Sequence, residues 1–202
     1  RLILPVIDVR GDVIGFGSRV LDKSEPKYMN SSETPVYSKR RVLYGLNLAK
    51  KSKRPNIILC EGNLDIVTLH QAGFDNAVAS MGTALTVEQT RLLSRFTKEL
   101  VLCYDNDNAG KIATERALQI LNGSEFSVKV LQLPRRLVDG EYIKQDADDF
   151  IKLQGPDAFE RLLNGSENGV EFRMAQIAGK YDLKDDEARI AYCGEVSELL
   201  AS

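Results

Sequence analysis

The stretch VLCYDNDNAGK, residues 101–111, joins an apolar run to two aspartates that lie two positions apart. Two aspartates at the end of a predicted buried strand, Asp105 and Asp107, have three possible explanations: a calcium loop, a solvated turn, or a metal-dependent phosphoryl-transfer site. An EF-hand loop would need an oxygen ligand at its fifth position and Glu at its twelfth, where the sequence has Ala109 and Arg116. The run before the aspartates also predicts a strand and not a helix, which argues against the calcium loop.

Around this stretch the sequence alternates between strand and helix patterns. Strands are predicted at 56–60, 76–79, 99–104 and 127–131, and helices at 64–72, 87–96 and 109–121. In the last helix, helical spacing is shared by Ala109, Ile112, Ala113, Arg116, Ala117 and Ile120. Strands separated by helices of this length predict a parallel sheet with right-handed crossovers.

The regions on either side have different patterns. Residues 2–9 and 13–21 predict a β-hairpin with RGD as its turn, followed by an irregular segment at 22–38 and a short helix at 39–50. From Pro134 onward we expect no further strands. Helical patterns at 147–153, 156–163, 168–179 and 185–201 predict a small helical subdomain.

Composition narrows the class of protein. The chain has 202 residues, of which 43% are hydrophobic and 28% charged, as in a globular protein. No apolar run approaches the roughly 20 residues that span a membrane, and we expect no signal peptide. The chain begins within a strand-like run, so we expect a segment of a longer protein. Cys60 and Cys103 end apolar runs and are expected to be buried, reduced thiols, and no Cys or His spacing suggests zinc.

The net charge of −2 conceals an asymmetry along the chain. Residues 1–54 hold 12 Lys or Arg against 5 Asp or Glu, whereas residues 55–202 hold 15 against 24. A basic segment beside an acidic one could hold a polyanion against bound cations. The basic run KKSKRP, residues 50–55, is equally compatible with a solvated linker.

Further acidic residues follow the predicted strands. Glu61 comes directly after the strand at 56–60, and Asp65 lies about one helical turn later. Ligands of parallel α/β sheets bind beyond the carboxyl ends of the strands, so Glu61 and Asp105 should lie on one edge. Asp146 and Asp148 repeat the two-residue spacing just beyond the sheet. Such carboxylates repel each other unless cations compensate them, and oxygen-only ligands favour Mg²⁺ or Mn²⁺ over zinc.

Several motifs carry a family resemblance. EGNLD at 61–65, SMGTALT at 80–86 and YDNDNAGK at 104–111 resemble the Toprim domain of bacterial-type primases and topoisomerases. VIGFGSRVL, PKYMNSSETPVY, LYGL and DADDFIKLQGPDAFERLL resemble the segments that flank Toprim in the catalytic core of bacterial-type replicative DNA primases. The stretch from Leu133 to Asp146 is longer than is usual in that family.

The resemblance implies a fold and a division into domains. The fold is α/β, a Rossmann-like parallel Toprim sheet with flanking helices, between part of a mixed α/β subdomain and a small helical subdomain. Residues 1–54 would end the N-terminal subdomain, 55–133 would form the Toprim domain, and 134–202 would hold a metal-binding loop and the helical subdomain.

The resemblance also implies site residues. Catalytic roles fall to Glu61, Asp105 and Asp107, with Glu61 either an acid/base group or a metal ligand. Nucleotide and template contacts fall to Arg19, Lys27, Tyr28 and Asn30. The implied metal ligands are Glu61, Asp65, Asp105, Asp107, Asp146 and Asp148.

The implied activity is RNA-primer synthesis on single-stranded DNA by nucleotidyl transfer with two or three Mg²⁺ or Mn²⁺ ions. The implied partners are the template, nucleoside triphosphates, the primer–template hybrid and, through a C-terminal domain beyond this chain, the replicative helicase. Zinc is expected only in a separate N-terminal module, and a cytoplasmic monomer without a membrane partner is expected. Two alternatives stay open: a DNA-cleaving Toprim enzyme, such as a topoisomerase or nuclease, and an inactive nucleic-acid-binding module.

Overall fold

The computed structural model describes residues 1–138 and 141–201, which divide into two compact units, Arg1–Ser166 and Glu167–Ser202. The strands of the first unit are β1 (Leu2–Ile7), β2 (Val13–Arg19), β3 (Tyr28–Asn30), β4 (Leu43–Tyr44), β5 (Asn56–Cys60), β6 (Ala77–Ser80), β7 (Glu99–Leu102), β8 (Ser127–Val130), β9 (Arg136–Val138) and β10 (Glu141–Ile143). Its helices are α1 (Leu46–Ala49), α2 (Asn63–Gln71), α3 (Val87–Leu93), α4 (Asn108–Leu121), α5 (Ala147–Gln154) and α6 (Pro156–Asn164). The second unit contains β11 (Glu167–Asn168), α7 (Gly169–Ala178) and α8 (Asp186–Ala201).

The predicted parallel sheet is confirmed in the first unit, where its strands follow the order β8-β7-β5-β6-β4. β5 pairs in parallel with β6 and β7, and β7 pairs in parallel with β8. After β5 the chain adds β6 on one side and then β7 and β8 on the other. The strand order therefore reverses between β5 and β7, and the crevice at such a switch point is where α/β sheets bind ligands.

The core of the first unit lies against this sheet. Ile58 and Val101 are fully buried, as expected of central parallel strands covered on both faces. Phe74, from the loop after α2, joins the same cluster together with Phe150 of α5 and Phe159 of α6. The rings of Phe74 and Phe159 lie edge-on with their centres 4.7 Å apart. This packing holds α2, α5 and α6 on one side of the sheet and so places the acidic residues of α2 and α5 near each other.

Helix α4 confirms the predicted helix at 109–121, but most of the apolar positions on which that prediction relied do not face the core. Ile112 is 53% exposed, and Ala117 is the only member of the predicted set that is buried among these described residues. The buried stripe instead runs through Gly110, Thr114, Ala117, Leu118 and Leu121. Gly110, Thr114 and Ala117 of this stripe have small side chains, and the two leucines supply most of its apolar surface.

The predicted N-terminal hairpin is confirmed, since β1 and β2 pair antiparallel. Asp8 closes the turn, because one of its carboxylate oxygens accepts hydrogen bonds from the backbone amides of Arg10, Gly11 and Asp12. The expectation of an irregular 22–38 segment is wrong for residues 28–30, where β3 pairs with β2. This strand has only three residues and owes its conformation to the ladder it shares with β2.

The predicted helix at 39–50 is wrong over most of its length. Leu43 and Tyr44 form β4, which pairs antiparallel with the edge strand β6, and only Leu46–Ala49 is helical. Gly45 separates the two with a φ of +83°, a conformation that other residues rarely adopt. A Cβ at this position would lie 2.7 Å from Cγ2 of Ile66, so close packing also requires glycine.

The expectation that strands stop at Pro134 is also wrong, because β9 and β10 form an antiparallel ribbon in which Arg136 pairs with Ile143. Leu137 is 58% exposed and Ile143 is 42% exposed, so the ribbon residues whose burial is described show no clear alternation of buried and exposed positions. The predicted helices at 147–153, 156–163, 168–179 and 185–201 are confirmed as α5 to α8.

In the second unit, Asn168 caps α7 by accepting hydrogen bonds from the amides of Val170 and Glu171. The hydroxyl of Tyr181 donates to Glu195 on α8 at 2.9 Å. The three predicted domains, 1–54, 55–133 and 134–202, stay a prediction, and residues 139, 140 and 202 of the third lie outside the described residues.

Cys60 and Cys103 are buried free thiols, as predicted. None of the described helices combines the length and the apolarity that crossing a membrane requires.

Candidate active site at the carboxyl edge of the sheet

The turn after β7 positions Asp105 and Asp107. Asp107 caps α4, since its Oδ1 accepts a hydrogen bond from the amide of Gly110 at 2.8 Å. This bond is the main cause of a pKa below the ordinary value for Asp107. Gly110 passes so close to the turn that a Cβ would lie 1.9 Å from the carbonyl oxygen of Asp105. Only glycine lets the helix begin directly behind the first aspartate.

Glu61 reaches the same place from the neighbouring strand. Its Oε1 accepts a hydrogen bond from the backbone amide of Asp105 at 3.2 Å, so the two predicted acids do lie on one edge. Burial raises the pKa of Glu61, and the charge of Asp105 raises it further. The expectation of a shared sheet edge for β5 and β7 is therefore confirmed, and the two carboxylates influence each other electrostatically.

Asp65 connects the sheet edge to the third acidic pair. Its two carboxylate oxygens accept hydrogen bonds from the amides of Gly62 and Asp148, each at 3.1 Å. Asp65 is only 7% exposed, and this burial, followed by the charge of Asp146, raises its pKa to about 7. An aspartate with this pKa is half protonated near neutral pH unless a cation compensates it.

Helix α5 brings three carboxylates together at its N-terminus. Asp146 caps the helix by accepting a hydrogen bond from the amide of Asp149 at 2.7 Å, and Asp148 accepts one from the Thr68 hydroxyl at 2.5 Å. One carboxylate oxygen from each of Asp146, Asp148 and Asp149 lies within 4.8 Å of the others. Lys152 contacts Asp148 at 2.6 Å and compensates part of this charge.

The nucleotide- and template-binding residues predicted in the N-terminal segment lie on β2, on β3 and directly before β3, where Lys27 is found. Arg19 and Tyr28 are paired across the two strands. The guanidinium carbon of Arg19 lies 5.8 Å from the centre of the Tyr28 ring, and Nζ of Lys27 lies 5.6 Å from it. Asn30 donates a hydrogen bond to the carbonyl oxygen of Met81 at 3.3 Å. These side chains form a basic wall with an aromatic surface.

We call the predicted carboxylates of the site the acidic edge: Glu61, Asp65, Asp105, Asp107, Asp146 and Asp148. The acidic edge and the basic wall border one cleft of about 430 Å³. Its lining includes nine of the ten predicted site residues: Arg19, Lys27, Tyr28, Asn30, Glu61, Asp65, Asp105, Asp146 and Asp148. The tenth predicted residue, Asp107, is not among the described residues that line the cleft, but its carboxylate pairs with Lys144, which does line it. The structure thus brings the predicted residues together, while their individual roles stay a prediction.

Two family models match the chain, one described as Toprim-like over residues 58–151 and one as the N-terminal domain of the DNA primase catalytic core over residues 1–50. A DNA primase of Clostridium acetobutylicum is 43% identical over 201 residues, which cover 99% of this chain and 32% of that protein. The chain belongs to the DNA primase family. It spans about a third of the length of the curated primases it matches.

Solved primase structures share the fold. A DnaG primase catalytic domain bound to single-stranded DNA is 35% identical with a TM-score of 0.79, covering 94% of this chain and 60% of that one. The RNA polymerase domain of Mycobacterium tuberculosis DnaG, in complex with double-stranded DNA bearing a 6-nucleotide overhang, is 31% identical with a TM-score of 0.80. That match covers 98% of this chain and 63% of the other. The Toprim assignment, predicted from EGNLD and YDNDNAGK, is confirmed.

The acidic residues of this primase chain fit divalent metal ions. All the clustered groups are carboxylates, whose hard oxygens suit Mg²⁺ and Mn²⁺. Burial is the main cause of the raised pKa values of Glu61 and Asp65, and neighbouring aspartates raise both values further. The Toprim primase fold itself implies the use of divalent metal ions.

Sequence reasoning missed two members of this cluster, Asp149 and Lys144. Asp149 directly follows a predicted ligand, so the doubled DD in QDADDF was a usable signal. Nζ of Lys144 lies 3.1 Å from Asp105 and 3.3 Å from Asp107. These bonds, that to Asp105 above all, raise the pKa of Lys144. No sequence pattern connects a lysine after β10 to aspartates 39 and 37 residues earlier.

Proposed function

We propose that this chain is part of the catalytic core of a DNA primase that synthesises short RNA primers on single-stranded DNA during replication. The observation that carries the proposal is the single cleft bordered by Glu61, Asp65 and Asp105 on one side and by Arg19 and Lys27 on the other. A nucleotidyl transferase needs carboxylates for cations and basic groups for phosphates, and it needs them a few ångströms apart.

Two or three Mg²⁺ or Mn²⁺ ions would be held by the acidic edge. When bound, such ions compensate the charge of a triphosphate and make a 3′-hydroxyl easier to deprotonate. The carboxylates proposed to hold them are Glu61, Asp65, Asp105, Asp107, Asp146 and Asp148.

The residues around the cleft have distinct proposed tasks. Asp105 and Asp107 lie on the turn between β7 and α4, which hydrogen bonds from the Asp105 amide to Glu61 and from the Gly110 amide to Asp107 help to position. Glu61 either accepts the proton of the attacking 3′-hydroxyl or joins the ligands of the metal ions. Burial raises the pKa of Glu61, and a raised pKa favours a role as general base, which works best when its pKa approaches the working pH.

The basic wall is proposed to bind nucleotide and template. Arg19 and Lys27 would contact phosphates, Arg19 through its planar guanidinium and Lys27 as a point charge. The Tyr28 ring would stack on a base, and Asn30 would contact the nucleotide. Contacts with phosphates are screened by salt, so template binding should weaken steeply as the salt concentration rises. Phosphate contacts and base stacking are available to any nucleotide sequence, so binding should depend little on the template sequence.

The proposed partners are single-stranded DNA, nucleoside triphosphates and the primer–template hybrid. The DNA-bound relatives described above support the nucleic-acid part of this list. Contacts with a replicative helicase and with zinc would belong to other parts of the primase, in line with the share of its relatives that this chain spans. We further propose that the 202-residue chain is a monomer, that it acts in the cytoplasm, and that alone it binds metal and nucleotide but synthesises primers poorly.

The test substitutes Asp105→Asn in this chain and in the full-length protein. We expect Mn²⁺ binding by the chain, followed by electron paramagnetic resonance of free Mn²⁺, to weaken at least tenfold, because a metal ligand loses its charge. Primer synthesis by the full-length variant should fall below detection. Asp157→Asn, at an exposed position in the first turn of α6, is the matched control and should change neither measurement.

The same assays separate the alternatives. Unchanged Mn²⁺ binding by the Asp105→Asn chain would contradict the role proposed for that aspartate. Cleaved or covalently attached DNA in place of primers would identify a DNA-cleaving Toprim enzyme. Robust primer synthesis by the 202-residue chain alone would refute the proposal that this part synthesises poorly.

A further inference from the structure

One basic side chain occupies the position of a cation at the acidic edge. The ammonium group of Lys144 contacts Asp105 Oδ2 at 3.1 Å and Asp107 Oδ2 at 3.3 Å, so a single charge bridges both carboxylates. Among the described residues, no other Lys or Arg forms an ion pair with either aspartate. The two oxygens that Lys144 bridges belong to the carboxylates proposed to hold a divalent ion, so ammonium and metal compete for the same charge.

The position of Lys144 in the chain makes this contact easy to exchange. Lys144 directly follows β10, outside the parallel sheet, and its side chain is 58% exposed. The side chain of Asp105 is 20% exposed and that of Asp107 34% exposed. The carboxylates thus lie on the turn that begins α4 and are partly buried, whereas the ammonium sits at the end of a long side chain that is more exposed. A solvated Lys–Asp pair is worth little and can be broken at small cost.

We propose that Lys144 is an exchangeable counter-ion that sets the divalent-metal affinity of the Asp105–Asp107 pair. Without metal, the ammonium compensates the two carboxylates and holds them together. A divalent ion that binds the pair must displace the ammonium from both oxygens, so the intact lysine lowers metal affinity. This inference rests on the proposed function of the acidic edge and adds a residue that regulates it.

The experiment measures Mn²⁺ affinity of the 202-residue chain at low ionic strength, again from the resonance of free Mn²⁺. We expect Lys144→Gln to tighten the dissociation constant about three- to tenfold, equivalent to about 0.7–1.4 kcal/mol, because two solvated ion pairs no longer oppose binding. Lys144→Arg keeps the charge and should restore wild-type affinity within about twofold. The gain should shrink as salt is raised, since screening weakens exposed charge interactions.

Lys98→Gln is the matched control. Lys98 is similarly exposed and paired with Glu125, but it precedes β7 and therefore lies at the opposite end of that strand from Asp105. The Lys98→Gln substitution removes the same unit of charge from the chain as Lys144→Gln and should change Mn²⁺ affinity less than twofold. Circular dichroism of each variant checks that the fold is retained.

The outcomes separate this inference from the proposed function. Equal affinities for the Lys144→Gln and Lys98→Gln chains, with Mn²⁺ binding still lost in Asp105→Asn, would overturn the counter-ion role alone. Weaker Mn²⁺ binding by Lys144→Gln would also overturn it, since the lysine would then organise the carboxylates for the metal. If Asp105→Asn leaves binding unchanged, the metal assignment itself fails and the counter-ion role fails with it.

Discussion

Asp65 offers the sharpest test of the electrostatics of this site. The residue is 7% exposed, and its pKa rises from 3.8 to about 7 in the folded chain. A pKa that is higher in the folded state means that folding favours the protonated form. The stabilisation is complete below pH 4 and is lost as the pH rises to about 7. At 1.36 kcal/mol for each pKa unit, this shift of about three units corresponds to roughly 4 kcal/mol of unfolding free energy.

Asp65→Asn should remove this pH dependence because asparagine does not titrate. The carboxylate accepts hydrogen bonds from the amides of Gly62 and Asp148, and asparagine has one acceptor oxygen in place of two. The lost hydrogen bond costs about 1 kcal/mol. The metal-free variant should therefore be about 1 kcal/mol less stable than the wild type at pH 4 and about 3 kcal/mol more stable at pH 8.

The assay is urea unfolding in the presence of EDTA between pH 4 and pH 8, followed by circular dichroism. Asp157→Asn, on the exposed surface of α6, controls for the loss of a carboxylate and should follow the wild type at each pH. Adding Mg²⁺ or Mn²⁺ at pH 8 should raise the stability of the wild type more than that of Asp65→Asn, because ligands that bind only the folded state stabilise it. If the unfolding free energies of wild type and Asp65→Asn run parallel across this range, the burial argument for Asp65 is refuted.

Two further substitutions test the packing that supports the site. Gly110→Ala should lower the unfolding free energy by about 3 kcal/mol, because a Cβ would lie 1.9 Å from the backbone oxygen of Asp105. If Gly110→Ala unfolds in urea with the same free energy as the wild type, the turn relaxes to accept the added Cβ and this reasoning is wrong. Phe159→Ala should cost about 3–5 kcal/mol, because its buried ring packs edge-on against Phe74 and Phe150. Phe159→Leu should lose less than half as much unfolding free energy as Phe159→Ala in the same measurement. A loss below about 1 kcal/mol in Phe159→Ala would contradict this packing.

Local patterns failed where a segment takes its structure from a neighbour. The helix expected at 39–50 is mostly absent because Leu43 and Tyr44 extend the sheet along β6. The strands β3 and β9 were missed because each has three residues and lacks a buried face of its own. In α4 the helix was predicted correctly, but the face that it buries was not, since the buried stripe includes Gly110, Leu118 and Leu121 and leaves Ile112 exposed.

The sequence by itself determined the parallel sheet and the acidic edge of this primase chain. Strand runs followed by Glu61 and Asp105 are local signals, and the geometry of parallel strands brings their carboxyl ends together wherever the strands are neighbours. Only the tertiary structure decided how readily the carboxylates of the acidic edge ionise and which basic residue pairs with them. Burial raises the pKa of Asp65, and Lys144 reaches Asp105 across 39 residues of chain. Both effects depend on distances between separate segments, which a linear pattern does not contain.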